Sequence, residues 1–238
     1  MRPVTLVVPC KDEARRLDRG AFLQAVETIP GLALLFVDDG STDSTASVLA
    51  HLVNASPAVD ALYLPENVGK AEAVRAGVRH LLAVGGTGLV GFWDADLATP
   101  LEAVRRFVDA FESDPRLEMA VGSRWPHLGA SVDRSVFRAC TGGVMKFLIR
   151  RLLSAPVYDT QCGAKVMTRE LAGRLFGRRF VSRWLFDVEL FRRMGRSAIL
   201  RGVRELPLDS WRDVAGSKMT FRSAVFSVFD LVRIAWTG

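Results

Sequence analysis

The sequence predicts an α/β fold with a mostly parallel central sheet, and three observations lead there. Short apolar, β-branched runs recur through the first half, at residues 4–8, 32–37, 61–64, 88–93 and 117–121. Stretches with apolar residues at helical spacing separate them, as with Val74, Val78, Leu81 and Leu82. That alternation is the signature of parallel strands joined by right-handed crossovers. Acidic and polar residues gather just after the runs, at the strand ends where open α/β sheets bind ligands.

The first run is closed by Pro9, and Pro9-Cys10-Lys11-Asp12-Glu13 is expected to open a helix. Asp12 and Glu13 then serve as partners of the helix dipole, or Glu13 receives a ribose hydroxyl. The second run leads into Asp38-Asp39-Gly40-Ser41-Thr42-Asp43-Ser44. Gly40 permits a sharp turn, and the Ser/Thr/Asp cluster caps a helix starting near Thr45. Capping accounts for Asp43 and Ser44 but not for two adjacent acids at a strand end. After the third run, Gly69 and Lys70 stand at a helix start, where backbone N–H groups and an ammonium can meet phosphate. The P-loop and Rossmann glycine patterns are missing, which argues against an ATPase or a dehydrogenase.

The fourth run ends in Phe92-Trp93-Asp94-Ala95-Asp96. If the backbone stays extended, Asp94 and Asp96 reach the same side and form a pair of hard oxygen ligands. Mg²⁺ or Mn²⁺ held by two carboxylates keeps positions open for diphosphate oxygens. A lone Asp-x-Asp is commonly a solvated turn; its position at a buried strand end separates this one from that reading. Pro100 then starts a helix with Leu101, Val104, Phe107, Val108 and Phe111 on one face. The fifth run ends in Gly122-Ser123-Arg124, and the planar fork of Arg124 can bind phosphate oxygens bidentately.

From about Pro126 the character changes. Arg134, Arg138, Lys146, Arg150 and Arg151 interleave with apolar residues, as in a helix packed on the domain or lying on an anionic membrane. Residues 158–165 are dense in polar groups, with Gly163 read as the residue of a tight turn. Asp187 and Glu189 sit inside an apolar segment, where acids are costly unless paired or used. The last helix gathers Phe221, Val225, Phe226, Phe229, Val232 and Trp236 on an aromatic face, read as core packing or an interfacial anchor.

The totals agree. At 238 residues, 49% of them hydrophobic, the chain suits a single domain spanning 1–238 with a sizeable core. A net charge of +6 favours anionic partners: nucleotides, phospholipid surfaces, phosphorylated acceptors or nucleic acid. Cys10, Cys140 and Cys162 are too few and scattered for a disulfide framework or a cysteine zinc site, which suits a reducing compartment. No signal peptide and no run of roughly 20 apolar residues is read, so the protein is expected to be soluble or peripheral.

Together these residues resemble the family 2 glycosyltransferases, and within them the dolichyl-phosphate and polyprenyl-phosphate sugar synthases. The first-half stations are Val7-Val8-Pro9, Asp12-Glu13, residues 37–43, Asn67-Val68-Gly69-Lys70, Asp94-Ala95-Asp96-Leu97 and Gly122-Ser123-Arg124. A narrower set follows: residues 159–165, Arg183-Trp184, residues 186–190, Trp211 and Gly216-Ser217-Lys218. These look most like the dolichyl-phosphate β-glucosyltransferases. The pentad at Pro9 departs from the more usual Pro-x-x-Asn-Glu.

The resemblance implies a GT-A fold. Residues 1–125 would form the nucleotide-sugar and metal half, 126–220 the acceptor half and 221–238 the terminal amphipathic helix. Pro9, Glu13, Asp38 and Asp39 would hold the nucleoside, with Lys70 near the nucleotide. Asp94 and Asp96 would hold Mg²⁺ or Mn²⁺ and the diphosphate, and would be catalytic. The implied reaction is an inverting transfer of glucose, or next mannose, from UDP-glucose or GDP-mannose to a polyprenyl or dolichyl phosphate. The implied location is peripheral, on the cytoplasmic face of a membrane. A lipid phosphate is ionised near neutral pH and needs cations rather than a base; Arg124, Arg134, Arg138, Lys165 and Lys218 are the candidates. With a soluble hydroxyl acceptor, the competing reading, Asp187 would be the base. The relatives carry membrane-anchoring or spanning segments that are not read here, so lipid acceptance is expected to rest on the basic helix around 146–153 and on the terminal helix. A non-catalytic membrane or nucleic-acid binding module would leave the acid pairs unexplained, and no nucleic-acid motif is present. The oligomeric state stays open.

Overall fold

Val4–Cys10 forms β1, about which the sheet is laid. It runs parallel to β2 (Leu32–Asp38), with Val4 opposite Leu32, and to β4 (Leu89–Trp93), with Val4 opposite Leu89. This computed structural model describes residues 1–124, 131–132, 148–153, 157–183, 185–211 and 221–236, without the side chains of 131–132 and 221–228. With β3 (Val59–Tyr63), β5 (Met119–Ser123), β7 (Ala164–Thr168) and β8 (Val203–Pro207), the sheet has seven strands in the order β3-β2-β1-β4-β7-β5-β8. A short parallel pair, β6 (Ser131–Val132) and β9 (Ser210–Trp211), lies apart from it.

Strand alternation divides the core into two layers. Val4, Leu6 and Val8 point to one side with Leu34 and Phe36, while Val7 points to the other with Leu35 and Val37. The first layer is covered by α1 (Arg19–Thr28), α2 (Thr45–Ala55) and α4 (Val104–Ser113), whose Phe22, Leu49, Leu52, Phe107 and Phe111 are buried in it. The apolar stripe expected after Pro100 is the buried face: Leu101, Val104, Phe107, Val108 and Phe111 are all inside, though the first turn is a 3-10 turn. The second layer is covered by α3 (Lys70–Val84) and the helices Arg169–Phe176 and Phe186–Met194. At Gly77, α3 lies so close to the sheet that a Cβ would stand 2.6 Å from Val7 Cγ1.

The sheet is mostly parallel, as expected, and mixed only through β7, which runs antiparallel between β4 and β5. Its residues include Lys165, which interrupts the apolar run by which a buried strand is read. No helix opens at Pro9; β1 continues through Cys10, opposite Asp38. Pro9 lies beyond the last β1–β4 pair, Val7 with Phe92, where proline's missing N–H costs no ladder bond to β4. The residues after it form a loop in which Asp12 has φ 53°, and α1 starts only at Arg19, with the Asp18 side chain accepting from the Ala21 N–H.

The terminal helix, Phe221–Trp236, is seated by one side. Leu231 and Ile234 are buried, while Phe229, Val232 and Trp236 are exposed. The helical residues 148–153 repeat the pattern, with Ile149 and Leu153 buried and Leu148 exposed. Among the described residues no helix is long and apolar enough to cross a membrane.

Candidate functional site

The carboxyl ends of β1, β2 and β4 open into a cavity of about 540 Å³. Pro9, Glu13, Asp39, Lys70, Asp94 and Asp96 line it, all of them residues singled out from sequence. The loops that carry them are tied together by their polar side chains. Asp12 accepts from the Thr42 N–H at 2.8 Å, and Glu13 and Ala14 donate backbone N–H groups to Thr45 Oγ1 and Asp43 Oδ2. Lys11 beside Asp12, together with Thr42, holds the Asp12 carboxyl down at about 2. Asp12 is therefore a loop clasp rather than a helix-dipole partner.

Asp43 also accepts from the Thr45 N–H at the start of α2, whereas Ser44 makes no side-chain cap bond. Asp38 is buried at the end of β2 and accepts from the Ser41 N–H at 3.0 Å, shaping the turn. Gly40 is required there: its φ is +61° and a Cβ would stand 2.5 Å from the Glu66 carbonyl carbon. Asp39 accepts from the N–H groups of Val68 at 2.7 Å and Gly69 at 3.0 Å. Burial raises its pKa, partly offset by these two bonds. Because the Gly69 N–H is committed to Asp39, it does not present itself to phosphate as expected.

Asp94 and Asp96 converge by a different route from the one expected. The strand ends at Trp93, and a turn follows in which the Leu97 N–H reaches the Asp94 carbonyl and Leu97 takes φ 51°. Trp93 Nε1 donates to the Thr99 carbonyl at 2.8 Å and pins the loop. Lys70 Nζ donates to Asp94 Oδ1 at 2.5 Å, and Arg16 stands 4.0 Å from Asp96 Oδ2. Burial, and then the charge of Asp94, raise the pKa of Asp96, with Lys70 and Arg16 acting against that shift. Burial works against the Lys70 ammonium, but Asp94, Asp187 and Asp96 outweigh it and raise its pKa. Such a corner suits a divalent cation. Among the described residues no three or more His, Cys, Asp or Glu side chains come together as a metal cage, so the two carboxylates are the protein ligands available here.

Beneath Lys70 the structure assigns other roles than expected. Lys165 is fully buried, and its ammonium donates to Asp187 Oδ1 at 2.5 Å and the Cys162 carbonyl at 2.6 Å. It is thus an internal counterion rather than a surface cation. Burial raises the pKa of Asp187, with Lys165 and Lys70 acting against that shift. Glu189 accepts from the Val181 N–H and pairs with Arg193. The fork of Arg124 is engaged by Asp159, Nε and Nη2 each at 2.6 Å, and the guanidinium lies over Trp211. Gly163 serves close approach rather than a turn: a Cβ there would stand 1.9 Å from Asp94 Oδ2. Cys10 and Cys162 are free, and burial raises both thiol pKa values, that of Cys162 to about 11. Arg134, Arg138, Trp184, Gly216, Ser217 and Lys218 lie outside the described residues.

Arg16, Asn67 and Arg183 also line the cavity, with no role assigned to them from sequence. Asn67 and Arg183 stand in the stretches that carried the resemblance, whereas Arg16 is reached through an aperiodic loop and left no signal.

Residues 5–176 match the family model described as glycosyl transferase family 2. The chain belongs to that family. As a member it is an enzyme, a glycosyltransferase. A dolichyl-phosphate beta-glucosyltransferase of Trichomonas vaginalis is 32% identical over 243 residues, covering 97% of this chain and 70% of that protein. One of Drosophila melanogaster is 34% identical over 239 residues, covering 91% of this chain and 69% of its own. The fold is shared with the Mycobacterium tuberculosis glucosyl-3-phosphoglycerate synthase crystallised with Mn²⁺, UDP and glucosyl-3-phosphoglycerate. The TM-score is 0.74 at 16% identity, over 98% of this chain and 80% of that one.

Proposed function

We propose that this glycosyltransferase moves a hexose, glucose before mannose, from a nucleotide-sugar to a polyprenyl or dolichyl phosphate at the cytoplasmic face of a membrane. The observation that carries the reading is the corner of Asp94, Asp96 and Lys70 in a cavity also walled by Pro9, Glu13 and Asp39. The names of the relatives support the acceptor and the sugar. UDP-glucose and GDP-mannose are the two donors to compare.

Asp94 and Asp96 would hold Mg²⁺ or Mn²⁺, which offsets charge on the leaving diphosphate. Lys70 adds a second positive charge at that corner, and Arg16 and Arg183 extend it along the walls. Glu13 and Asp39, which also line the cavity, are proposed to receive the nucleoside. The sugar carbon is attacked in one displacement, inverting its configuration, by an oxygen that is already an anion. The ion-paired state of Asp187 favours this reading over a hydroxyl acceptor, because a base tied to Lys165 and buried is poorly placed to take a proton. With Arg124 and Lys165 engaged internally, Arg134, Arg138 and Lys218 are proposed for the acceptor phosphate.

Docking on an anionic membrane is assigned to the terminal helix. Phe229, Val232 and Trp236 are 65%, 54% and 87% exposed, on a helix already seated by Leu231 and Ile234. Three apolar side chains facing outward beside exposed Arg233 fit an interfacial helix better than a solvated one.

The test is nucleoside diphosphate release from UDP-glucose and GDP-mannose, with and without Mg²⁺ or Mn²⁺ and a short polyprenyl phosphate. Lipid-stimulated, metal-dependent release from one donor is the expected result, abolished in a folded Asp96→Ala variant. Full turnover by Asp96→Ala would remove the carboxylate pair from the mechanism. Release stimulated by a sugar hydroxyl instead of the lipid would replace the acceptor.

A further inference from the structure

We infer that a hydrogen bond from Ser182 to Asp230 makes the terminal helix a positioning element of the donor cavity, with Arg183 as the residue it positions. The inference rests on the donor reading above.

Ser182 is buried. Its hydroxyl donates to Asp230 Oδ2 at 2.6 Å and accepts the Leu185 N–H at 2.8 Å. The first is a short bond to a carboxylate, the stronger kind. The next residue, Arg183, lines the cavity and donates from Nη2 to Asn67 Oδ1 at 3.2 Å. Its guanidinium lies so close to Gly69 that a Cβ there would stand 2.7 Å from Arg183 Nε. Gly69, at φ +90°, begins α3 and donates its N–H to Asp39, on which the charge of Arg183 also acts.

Among the described residues between Phe176 and Phe186 there is no helix or strand, so side chains must fix the path of the strip carrying Arg183. Glu72 accepts the Phe180 N–H at 2.9 Å and Glu189 the Val181 N–H at 2.9 Å. Asp230 takes the next residue in line. These anchors come from α3, from the Phe186–Met194 helix and from the terminal helix, and the last stands immediately before the cavity rim. A guanidinium held over the start of α3 by such a chain faces the cavity as a preset partner for diphosphate oxygens. The helix proposed to dock on the membrane thereby also shapes the donor side, and the two bindings are linked reciprocally.

Titration calorimetry of UDP and GDP with Mn²⁺ on the full chain tests this. Asp230→Ala is expected to weaken binding of the preferred nucleotide by about fivefold or more. Arg183→Ala weakens it at least as far, and the double variant is no worse than Arg183→Ala alone, a non-additivity that a merely structural Asp230 would not produce. Asp230→Asn, which keeps an acceptor for the Ser182 hydroxyl, recovers most of the affinity. Unchanged affinity in Asp230→Ala, even with a lowered melting temperature, overturns the coupling while leaving the donor site standing, and so do strictly additive losses. A wild-type chain that binds neither nucleotide overturns the donor reading and this inference with it.

Discussion

Replacing Gly163 with alanine places a methyl group where the Asp94 carboxylate now lies. The new Cβ would stand 1.9 Å from Oδ2 and 2.2 Å from Cγ, whereas ordinary contact begins at 3.4 Å. The carboxylate must therefore retreat by about 1.5 Å to reach ordinary contact. Asp94 can swing, because its side chain is 33% exposed and held by Lys70 rather than by core packing. The fold is thus expected to survive, with the melting temperature changed by a few degrees at most, roughly the effect of 1 kcal/mol in a domain of this size. The geometry of the proposed catalytic corner is not expected to survive, since a misplacement of about 1 Å can cost on the order of 100-fold in rate. Turnover in the diphosphate-release assay should fall by about that factor, and affinity for Mn²⁺ should fall with it. Gly173→Ala is the control: nothing lies within 4 Å of its Cβ, and in the Arg169–Phe176 helix it should gain roughly 1 kcal/mol with turnover unchanged. A folded Gly163→Ala enzyme with wild-type turnover and metal affinity would refute the placement of Asp94 at the reacting centre.

Three further outcomes are expected. Lys165→Met leaves Asp187 charged and buried without its partner, and urea unfolding should show a loss of about 3–5 kcal/mol, largely recovered in Lys165→Met/Asp187→Leu; a neutral single substitution would mean that the pair is not what holds the floor. Phe229→Ser with Trp236→Ser should leave thermal stability within roughly 0.5 kcal/mol, both side chains being exposed, yet reduce co-sedimentation with anionic vesicles; unaltered vesicle binding would return this helix to solvent. The Asp12 carboxyl titrates at about 2 in the folded chain, against roughly 3.9 when free. A depressed carboxylate stabilises the fold above the free value and loses that contribution as pH falls through the folded one. The stability difference between wild type and Asp12→Ala should accordingly be full at pH 5 and shrink toward pH 2, and a pH-independent difference would argue against the clasp to Thr42.

Residues that act through their own local pattern are legible in the chain's amino-acid order. The apolar runs coincide with β1 to β5 within two residues at either end, because β1, β2, β4 and β5 are buried almost throughout, whereas the edge strand β3 buries only Val59. Asp39, Lys70, Asp94 and Asp96 stand out because acids and a lysine at strand and helix ends have few structural uses. Residues whose roles depend on what comes from elsewhere in the chain are misread from local pattern. Gly163 looks like a turn glycine because the carboxylate it accommodates belongs to Asp94. Lys165 and Arg124 look like free cations because Asp187 and Asp159, their counterions, lie 22 and 35 residues further on. The antiparallel β7 escapes notice because a lysine in a short run does not announce that its ammonium will be met inside.

By itself, the sequence determined the α/β class and the end of the sheet where acids and cations gather, since these follow from periodicity and from residue type at strand ends; the family was legible only as a resemblance of its motifs. Tertiary structure decided which charges face the cavity and which cancel beneath it. It turned Asp94 toward Asp96 through a loop rather than along a strand, brought Arg183 over Gly69, and divided the terminal helix into a seated side and an outward one. The physical reason is that the energy of a charge, or of a glycine's missing Cβ, depends on neighbours a few ångströms away. Which neighbours those are is settled only when distant segments pack.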